Sequence, residues 1–289
     1  MPLNEQQQAA ATAAHALPVK VVAGAGTGKT ETLAARFVEL VRSGMPPSRI
    51  LLLTFTEDAA AEMRERVRQR LTEAQLDLPA HELIDLWCHT FHGFAMRLIR
   101  QWGWIVNLPP TPGSLDEPDR RLLLEEIVAA WEDTAERNEY RPLEHSSYRW
   151  EDGEAWKKAL TVLDQLRANG APPHDLGPHP HLREQQNKLF AAERAQLEPL
   201  IKHIYDAYCD NLHRAGQLDY DEQIAAARRL LTAYPAIGRQ FAAVMVDEFQ
   251  DTNPAQLDLL ALIRPDWTAM MVVGDPRQAI YGWRSARPD

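Results

Sequence analysis

A short apolar strand that runs into glycines and then into a helix leaves a chain few folds to choose from, and the segment from Val19 to Thr30 has that form. The run Val19 to Val22 is followed by Ala23-Gly24-Ala25-Gly26-Thr27-Gly28-Lys29-Thr30. A strand that ends this way directs several backbone N–H groups at one point, the positive end of the helix, where a triphosphate can bind. In such a loop Lys29 supplies a point charge to the β- and γ-phosphates and Thr30 a hydroxyl to Mg²⁺. Ala23 stands where the pattern G-x-x-x-x-G-K-[ST] begins with glycine, so the match is one residue short. Leu33, Phe37, Leu40 and Val41 then recur at helical spacing, and Ser43-Gly44 with Pro46-Pro47 stops the helix. A glycine-rich turn with a chance lysine would lack that frame.

The 289 residues suggest about two domains. A net charge of −10 argues against a protein coated in basic residues, yet leaves room for a nucleic-acid groove of local Lys, Arg and aromatic side chains. Cys88 and Cys209 are the two cysteines, and Met1 to Ala10 lacks a charged-then-apolar leader, so the expected location is cytoplasmic, without a disulfide framework. No apolar run approaches the roughly 18 residues of a membrane helix.

Along the chain, Asn4 with Gln7 three residues on has the spacing of a capping box. A strand is expected over Ile50 to Phe55, then a helix opened by Thr56-Glu57-Asp58 with the apolar stripe Ala60, Met63, Val67 and Leu71. The opposite face, Arg64, Arg66, Arg68 and Arg70, reads as solvated and partnered by Glu62, Glu65 and Glu73. Leu86 to Thr90 is a further strand. Its Cys88 and His89, with His92 beyond, lack two more ligands at zinc spacing. From Asn107, after the strands, Pro109-Pro110-Thr111-Pro112-Gly113 opens a stretch with helical patterns only, about 118–136, 156–168 and 197–212. His174, His179 and His181 fall among Pro and Gly there and read as loop. Asp219 and Glu222 again have capping-box spacing, and strands over Ala242 to Val246 and Ala269 to Val273 follow. The expected fold is therefore α/β, a P-loop NTPase with a parallel sheet flanked by helices and an inserted all-α domain. Its parts are 1–106, 107–213 and 214–289, the first and last forming the nucleotide-binding domain.

Each of the two late strands ends in polar residues: Asp247-Glu248-Phe249-Gln250-Asp251 and Gly274-Asp275-Pro276-Arg277-Gln278. Ligands of open parallel sheets bind outside the carboxyl ends of the strands. Two acids there, downstream of a phosphate loop, divide the labour of triphosphate hydrolysis: Asp247 holds Mg²⁺ through a water shell shared with Thr30, and Glu248 acts as general base on the attacking water. The long separation between Lys29 and Asp247 is accounted for by the inserted helical stretch.

These segments resemble, in order, the motifs of superfamily 1 helicases of the UvrD/Rep/PcrA type, amino-terminal half. Leu3-Asn4 to Gln7 resembles the adenine-reading Q motif, and Ala23 to Thr30 motif I, where Ala at the first position is usual. Thr54-Phe55-Thr56 with Ala59-Ala60 and Glu62-Met63 resembles motif Ia, and Thr90-Phe91-His92 motif Ib. Asp247 to Thr252 resembles motif II, and Gly274 to Arg284 motif III. The resemblance runs through nearly all of residues 3 to 287, weakest in the helical insertion. It implies a RecA-like ATP-binding domain with ATP and Mg²⁺ as cofactors: Gln7 reads adenine and Gln278 senses the γ-phosphate. It implies single-stranded DNA as partner, lined by Phe55, Thr90, His92, Tyr281, Trp283 and Arg284, which agrees with the sequence-tolerant stacking of bases on aromatic faces. The implied activity is an ATP-dependent DNA helicase moving 3′ to 5′ in repair or recombination.

Two departures qualify the picture. Glu57-Asp58 stand where Asn-Lys is common in motif Ia, which removes a phosphate contact, and Pro276 to Ala279 is closer to helicase-nuclease relatives such as RecB and AddA. The family's second RecA-like domain, with motifs IV to VI and the arginine fingers, has no counterpart in residues 1–289. The expectation is that this chain alone is poorly active, with the second domain supplied in cis or by a partner subunit. The alternatives are a nucleotide- or partner-binding module without helicase activity, and a fragment of a helicase-nuclease. A small-molecule kinase would have no use for the aromatic pair Tyr281 and Trp283.

Overall fold

The computed structural model describes residues 3–132 apart from 25 and 77, residues 160, 161, 163, 164 and 167, and residues 201–278 apart from 265 and 268. The expected helix over 156–168 lies mostly outside them, as do the histidine-containing loop, Ala25, Tyr281, Trp283 and Arg284. The chain divides into two compact units, one of Met1–Pro110 with Gln223–Asp289 and one of Thr111–Glu222.

The first unit is built on β1 (Val19–Val22), β2 (Ile50–Thr54), β3 (Trp87–Thr90), and two strands from late in the chain, Ala243–Val246 and Met270–Gly274. The second unit contains the short parallel pair β4 (Gly113–Ser114) and β5 (Gln217–Leu218), so the late strands are β6 and β7. The five-stranded sheet is wholly parallel, in the order β1-β7-β6-β2-β3. Every residue of β2 and β6 is buried, the uninterrupted apolar reading expected of strands covered on both faces. Alternation still decides which core each side chain joins. Leu51, Leu53, Val244 and Val246 pack with Phe94, Leu98, Leu230 and Leu259. Ile50, Leu52, Met245 and Val273 pack with Leu33, Phe37, Met63 and Val67 on the other face. β1, at one edge, is only half covered, and Val22 is 60% exposed.

Helices α1 (Glu5–Ala11), α2 (Lys29–Arg42) and α3 (Glu57–Glu73) precede the short α4 (Ala80–Ile84) and α5 (Phe91–Trp102). The capping box of α1 is formed: Asn4 Oδ1 accepts from the Gln7 N–H and Gln7 Oε1 from the Asn4 N–H. Thr56 caps α3 by accepting from the Ala59 N–H at 3.1 Å. The buried stripe of α3 is the expected Ala60, Met63, Val67 and Leu71, but its arginine face is not simply solvated. Arg64 donates to the Cys88 carbonyl and Arg68 to the Leu83 carbonyl, while Arg66 and Arg70 pair with Glu31 of α2. The reason is tertiary: α3 lies beside β3 and α2, where backbone carbonyls and an acid need donors.

The second unit carries α6 (Glu117–Glu132), helical residues 201–215, and the first residues of α7 (Tyr220–Ala233). Leu124, Ile127, Leu163, Ile204, Tyr208 and Leu212 form its core. Asp219 there caps α7 through the Glu222 N–H at 2.8 Å. Its carboxylate also accepts from Arg167 Nη2 and from the Tyr208 hydroxyl, each at 2.5 Å, so it is the centre of a buried polar cluster as well as a cap. In the first unit, α8 (Pro254–Ile263) follows β6 and opens with a second complete capping box, Asn253 with Gln256.

Candidate active site

The site assembles at the carboxyl ends of β1, β6 and β7, neighbours in the sheet although β1 and β6 are far apart in sequence. The β1–β7 ladder continues one residue further, with the Ala23 N–H donating to the Gly274 carbonyl at 3.1 Å. The chain then turns through Gly26 (φ 72°) and Gly28 (φ 81°), backbone conformations that L side chains rarely adopt. At Gly26 a Cβ would meet nothing, so conformation alone asks for glycine; at Gly28 it would also lie 2.6 Å from Gln7 Nε2. Gln7 Nε2 donates to the Thr27 carbonyl at 2.8 Å, and Thr27 Oγ1 to the Gly24 carbonyl at 2.7 Å, which ties the loop at both ends.

Lys29 and Thr30 are the first two residues of α2, and Lys29 is buried. Its Nζ lies 2.7 Å from Glu248 Oε2. An ammonium at the positive pole of a helix is unfavourably placed unless an anion faces it, and the Glu248 carboxylate meets that demand. The side chains nearest the loop's first glycine are polar: a Cβ on Gly24 would lie 3.7 Å from Asp275 Oδ2 and 3.8 Å from Gln278 Nε2. A charge pair beside N–H groups at a helix start, with polar side chains next to the loop, fits a polyphosphate. The hydroxyl of Thr30 and the carboxylate of Asp247 are hard oxygen donors of the kind Mg²⁺ takes.

Asp247 directly follows β6, and its N–H donates to the Leu53 carbonyl at 2.8 Å. Burial, and then the charge of Glu248, push its carboxyl up to about 6, against the Glu248 N–H and Lys29, which pull it down. Glu248 takes the left-handed conformation at φ 48°, costly for a residue with a Cβ. After β7, Asp275 accepts from the Arg277 N–H at 3.1 Å and from Gln278 Nε2 at 2.8 Å. The Arg277 N–H, with the Arg277 and Gln278 side chains, holds its carboxyl below the usual range. Gln278 Nε2 would be 3.8 Å from a Cβ on Gly24, so it stands over the phosphate loop. Gln7 thus joins the loop through Thr27, Lys29 bonds Glu248, and Gln250 and Asp275 connect Glu248 to Gln278. In sequence Gln250 is one letter of the acidic run, yet it bonds Glu248 and Asp275 at once, and the available signal is its position between Glu248 and Asp251.

A second group gathers where β2 and β3 end side by side, with Thr54 paired to Thr90. Phe55 and His92 are half-buried there. Thr90 is buried, and its hydroxyl donates to Glu57 Oε1 at 2.7 Å while accepting from the Gly93 N–H at 2.9 Å, which caps α5. Thr90 therefore has an internal bonding role in this arrangement. Next to it Arg97 stacks over Trp87 at 3.6 Å and meets His89. Burial, then Arg97 and Arg64, push His89 down to about 4. Among the described residues, no helix is long and apolar enough to cross a membrane.

Residues 3–289 match the UvrD/REP helicase N-terminal domain. The sequence is 31% identical to DNA helicase II of Escherichia coli, across 99% of this chain and 35% of that protein. It is also 31% identical to the ATP-dependent DNA helicase PcrA of Leuconostoc citreum, across 98% of this chain and 33% of the relative. With PcrA of Staphylococcus aureus it shares 26% identity, over 93% and 32% of the two chains. The chain spans about a third of the length of these curated relatives.

Proposed function

The chain belongs to the UvrD/REP helicase family, and from that premise we propose that residues 1–289 are the ATP- and single-stranded-DNA-binding half of an ATP-dependent DNA helicase. The observation that carries the nucleotide reading is the Lys29–Glu248 pair at 2.7 Å, set inside a glycine loop at a helix start.

In this reading Lys29 exchanges part of its bond to Glu248 for the β- and γ-phosphate oxygens of ATP. Glu248 takes a proton from the water that attacks the γ-phosphorus, and ADP and inorganic phosphate leave. Thr30 and Asp247 hold Mg²⁺, which neutralises phosphate charge when bound. Gln7 faces the base, the backbone from Ala23 through Gly24, Ala25, Gly26 and Thr27 to Gly28 faces the phosphates, and Gln278 faces the γ-phosphate. Phe55, Thr90, His92, Tyr281, Trp283 and Arg284 line the path of single-stranded DNA. The rest of the nucleotide site is assigned to a second domain, in cis or from a partner subunit. An arginine from such a domain is worth about 10³ to 10⁵ in rate.

Movement 3′ to 5′ in repair or recombination rests on the motif resemblance. Strand displacement on 3′-tailed against 5′-tailed duplexes tests the direction.

The decisive experiment is titration of the chain with Mg-ATP beside Lys29→Ala. The variant should lose binding while its circular-dichroism spectrum and melting curve stay those of the parent, because the sheet's cores do not include this side chain. A variant that binds as the parent does would remove the phosphate-loop assignment. Hydrolysis with and without single-stranded DNA then reports whether the two proposed sites communicate.

A further inference from the structure

Gln250 is 4% exposed, and both ends of its carboxamide are engaged. Nε2 donates to Glu248 Oε2 at 2.9 Å and to Asp251 Oδ2 at 3.2 Å. Oε1 accepts from the Asp275 N–H at 3.0 Å. The partners fix the orientation of the amide, because a carboxylate only accepts and a backbone N–H only donates. The fit is also tight: a Cβ on Gly274 would fall 2.3 Å from Gln250 Oε1, so Gly274 is required for this glutamine to reach across.

We propose that Gln250 is a positioning residue that aligns Glu248 for proton abstraction and ties that alignment to the Gly274–Gln278 loop. The inference rests on the reading of Glu248 as the base. Glu248 needs such support for two reasons. Its backbone is in the left-handed region, which local preference does not maintain. Its other side-chain donor, Lys29, bonds the same Oε2 and is the group drawn away by a triphosphate. Gln250 then remains to hold Oε2, and Oε1 is free to face the water. At the far end, Asp275 accepts from Gln278, which stands over Gly24. The hydrogen bonds run from Gln278 through Asp275 and Gln250 to Glu248 and on to Lys29. A shift of Gln278 toward a γ-phosphate oxygen would therefore reach the base through one amide.

Gln250→Met keeps the length and removes both polar ends, whereas Gln250→Glu keeps the acceptor for Asp275 and loses the donor to Glu248. Each is measured for Mg-ATP affinity, single-turnover hydrolysis and melting, in the parent and in a Glu248→Gln background. Both should lower the hydrolysis step by about tenfold or more with affinity within about threefold, and should add less than about twofold once Glu248 is already replaced. Gly274→Ala, which pushes Gln250 aside from the other strand, should behave like Gln250→Met. Equal losses in both backgrounds, or a rate that falls only in step with affinity or folded fraction, would overturn the proposal. A parent that binds and hydrolyses Mg-ATP with Gln250→Met unchanged removes this inference alone; a parent that does not bind Mg-ATP removes the nucleotide reading with it.

Discussion

Lys29 and Asp247 are both buried with charged neighbours, and each is informative for that reason. Lys29 is a buried cation at a helix N-terminus, held by one carboxylate; removing its ammonium should leave the fold and abolish nucleotide binding, the titration described above. Asp247 has its carboxyl pushed up to about 6 by burial and by Glu248. The folded state therefore binds this proton more tightly than the unfolded state. The associated stabilisation is complete below the ordinary value of 3.8 and is lost as pH rises through about 6. In the proposed site, Mg²⁺ held at the Asp247 carboxylate would compete with the same proton. Mg-ATP affinity should therefore fall about fourfold more between pH 7.5 and pH 5.5 in the parent than in Asp247→Asn, which has no proton to displace. Parallel pH profiles for the two proteins would mean that Asp247 is not a metal-binding carboxylate.

The phosphate loop joins β1 to α2, and the conformation of that junction is set by Gly28 more than by any apolar contact. Gly28→Ala would place a side chain at φ 81° and 2.6 Å from Gln7 Nε2. The left-handed conformation alone costs about 1–2 kcal/mol, and displacement of Gln7 also breaks its bond to the Thr27 carbonyl. Chemical denaturation should register a loss of that size, with Mg-ATP affinity reduced further because the loop no longer closes. An unchanged midpoint would show that the loop relaxes without strain. Gly26→Ala has the same φ problem but no steric neighbour, so the comparison separates conformation from crowding. Helix boundaries were legible at this scale because the signals are local. Asn4 with Gln7, Thr56 with its first-turn acids, and Ser43-Gly44 all act within one turn of the residue they terminate.

The two units differ in what they contribute. Both apolar cores of the parallel sheet, and every described residue of the candidate nucleotide site, belong to Met1–Pro110 and Gln223–Asp289. The inserted unit, Thr111–Glu222, begins and ends close together, because β4 and β5 are hydrogen-bonded neighbours and such strands lie about 4.8 Å apart. Composition places the insertion at 107–213; the pairing of Gly113 with Gln217 lies within the compact unit Thr111–Glu222. Replacing residues 115–216 by a flexible Gly-Ser linker should therefore leave a cooperatively folding protein with Mg-ATP affinity within about threefold of the parent. Loss of cooperative unfolding would mean that the nucleotide-binding unit depends on the insertion for its fold.

The sequence by itself determined what is local. The glycine loop needs positive φ, the strands are apolar runs, and each strand of the large sheet reaches its polar residues at the carboxyl end, so class of fold and candidate nucleotide site could be read in order along the chain. It could not determine which strands are neighbours. The order β1-β7-β6-β2-β3 sets Lys29 beside Glu248, 219 residues away, and only that adjacency turns two charged residues into a candidate site. The same holds for Gln250, whose bond with the Asp275 N–H crosses from the end of β6 to the end of β7, and for Arg64 and Arg68, whose partners are carbonyls of later segments. A hydrogen bond depends on distance in space, and periodicity along the chain carries no record of which distant backbone will be brought within 3 Å.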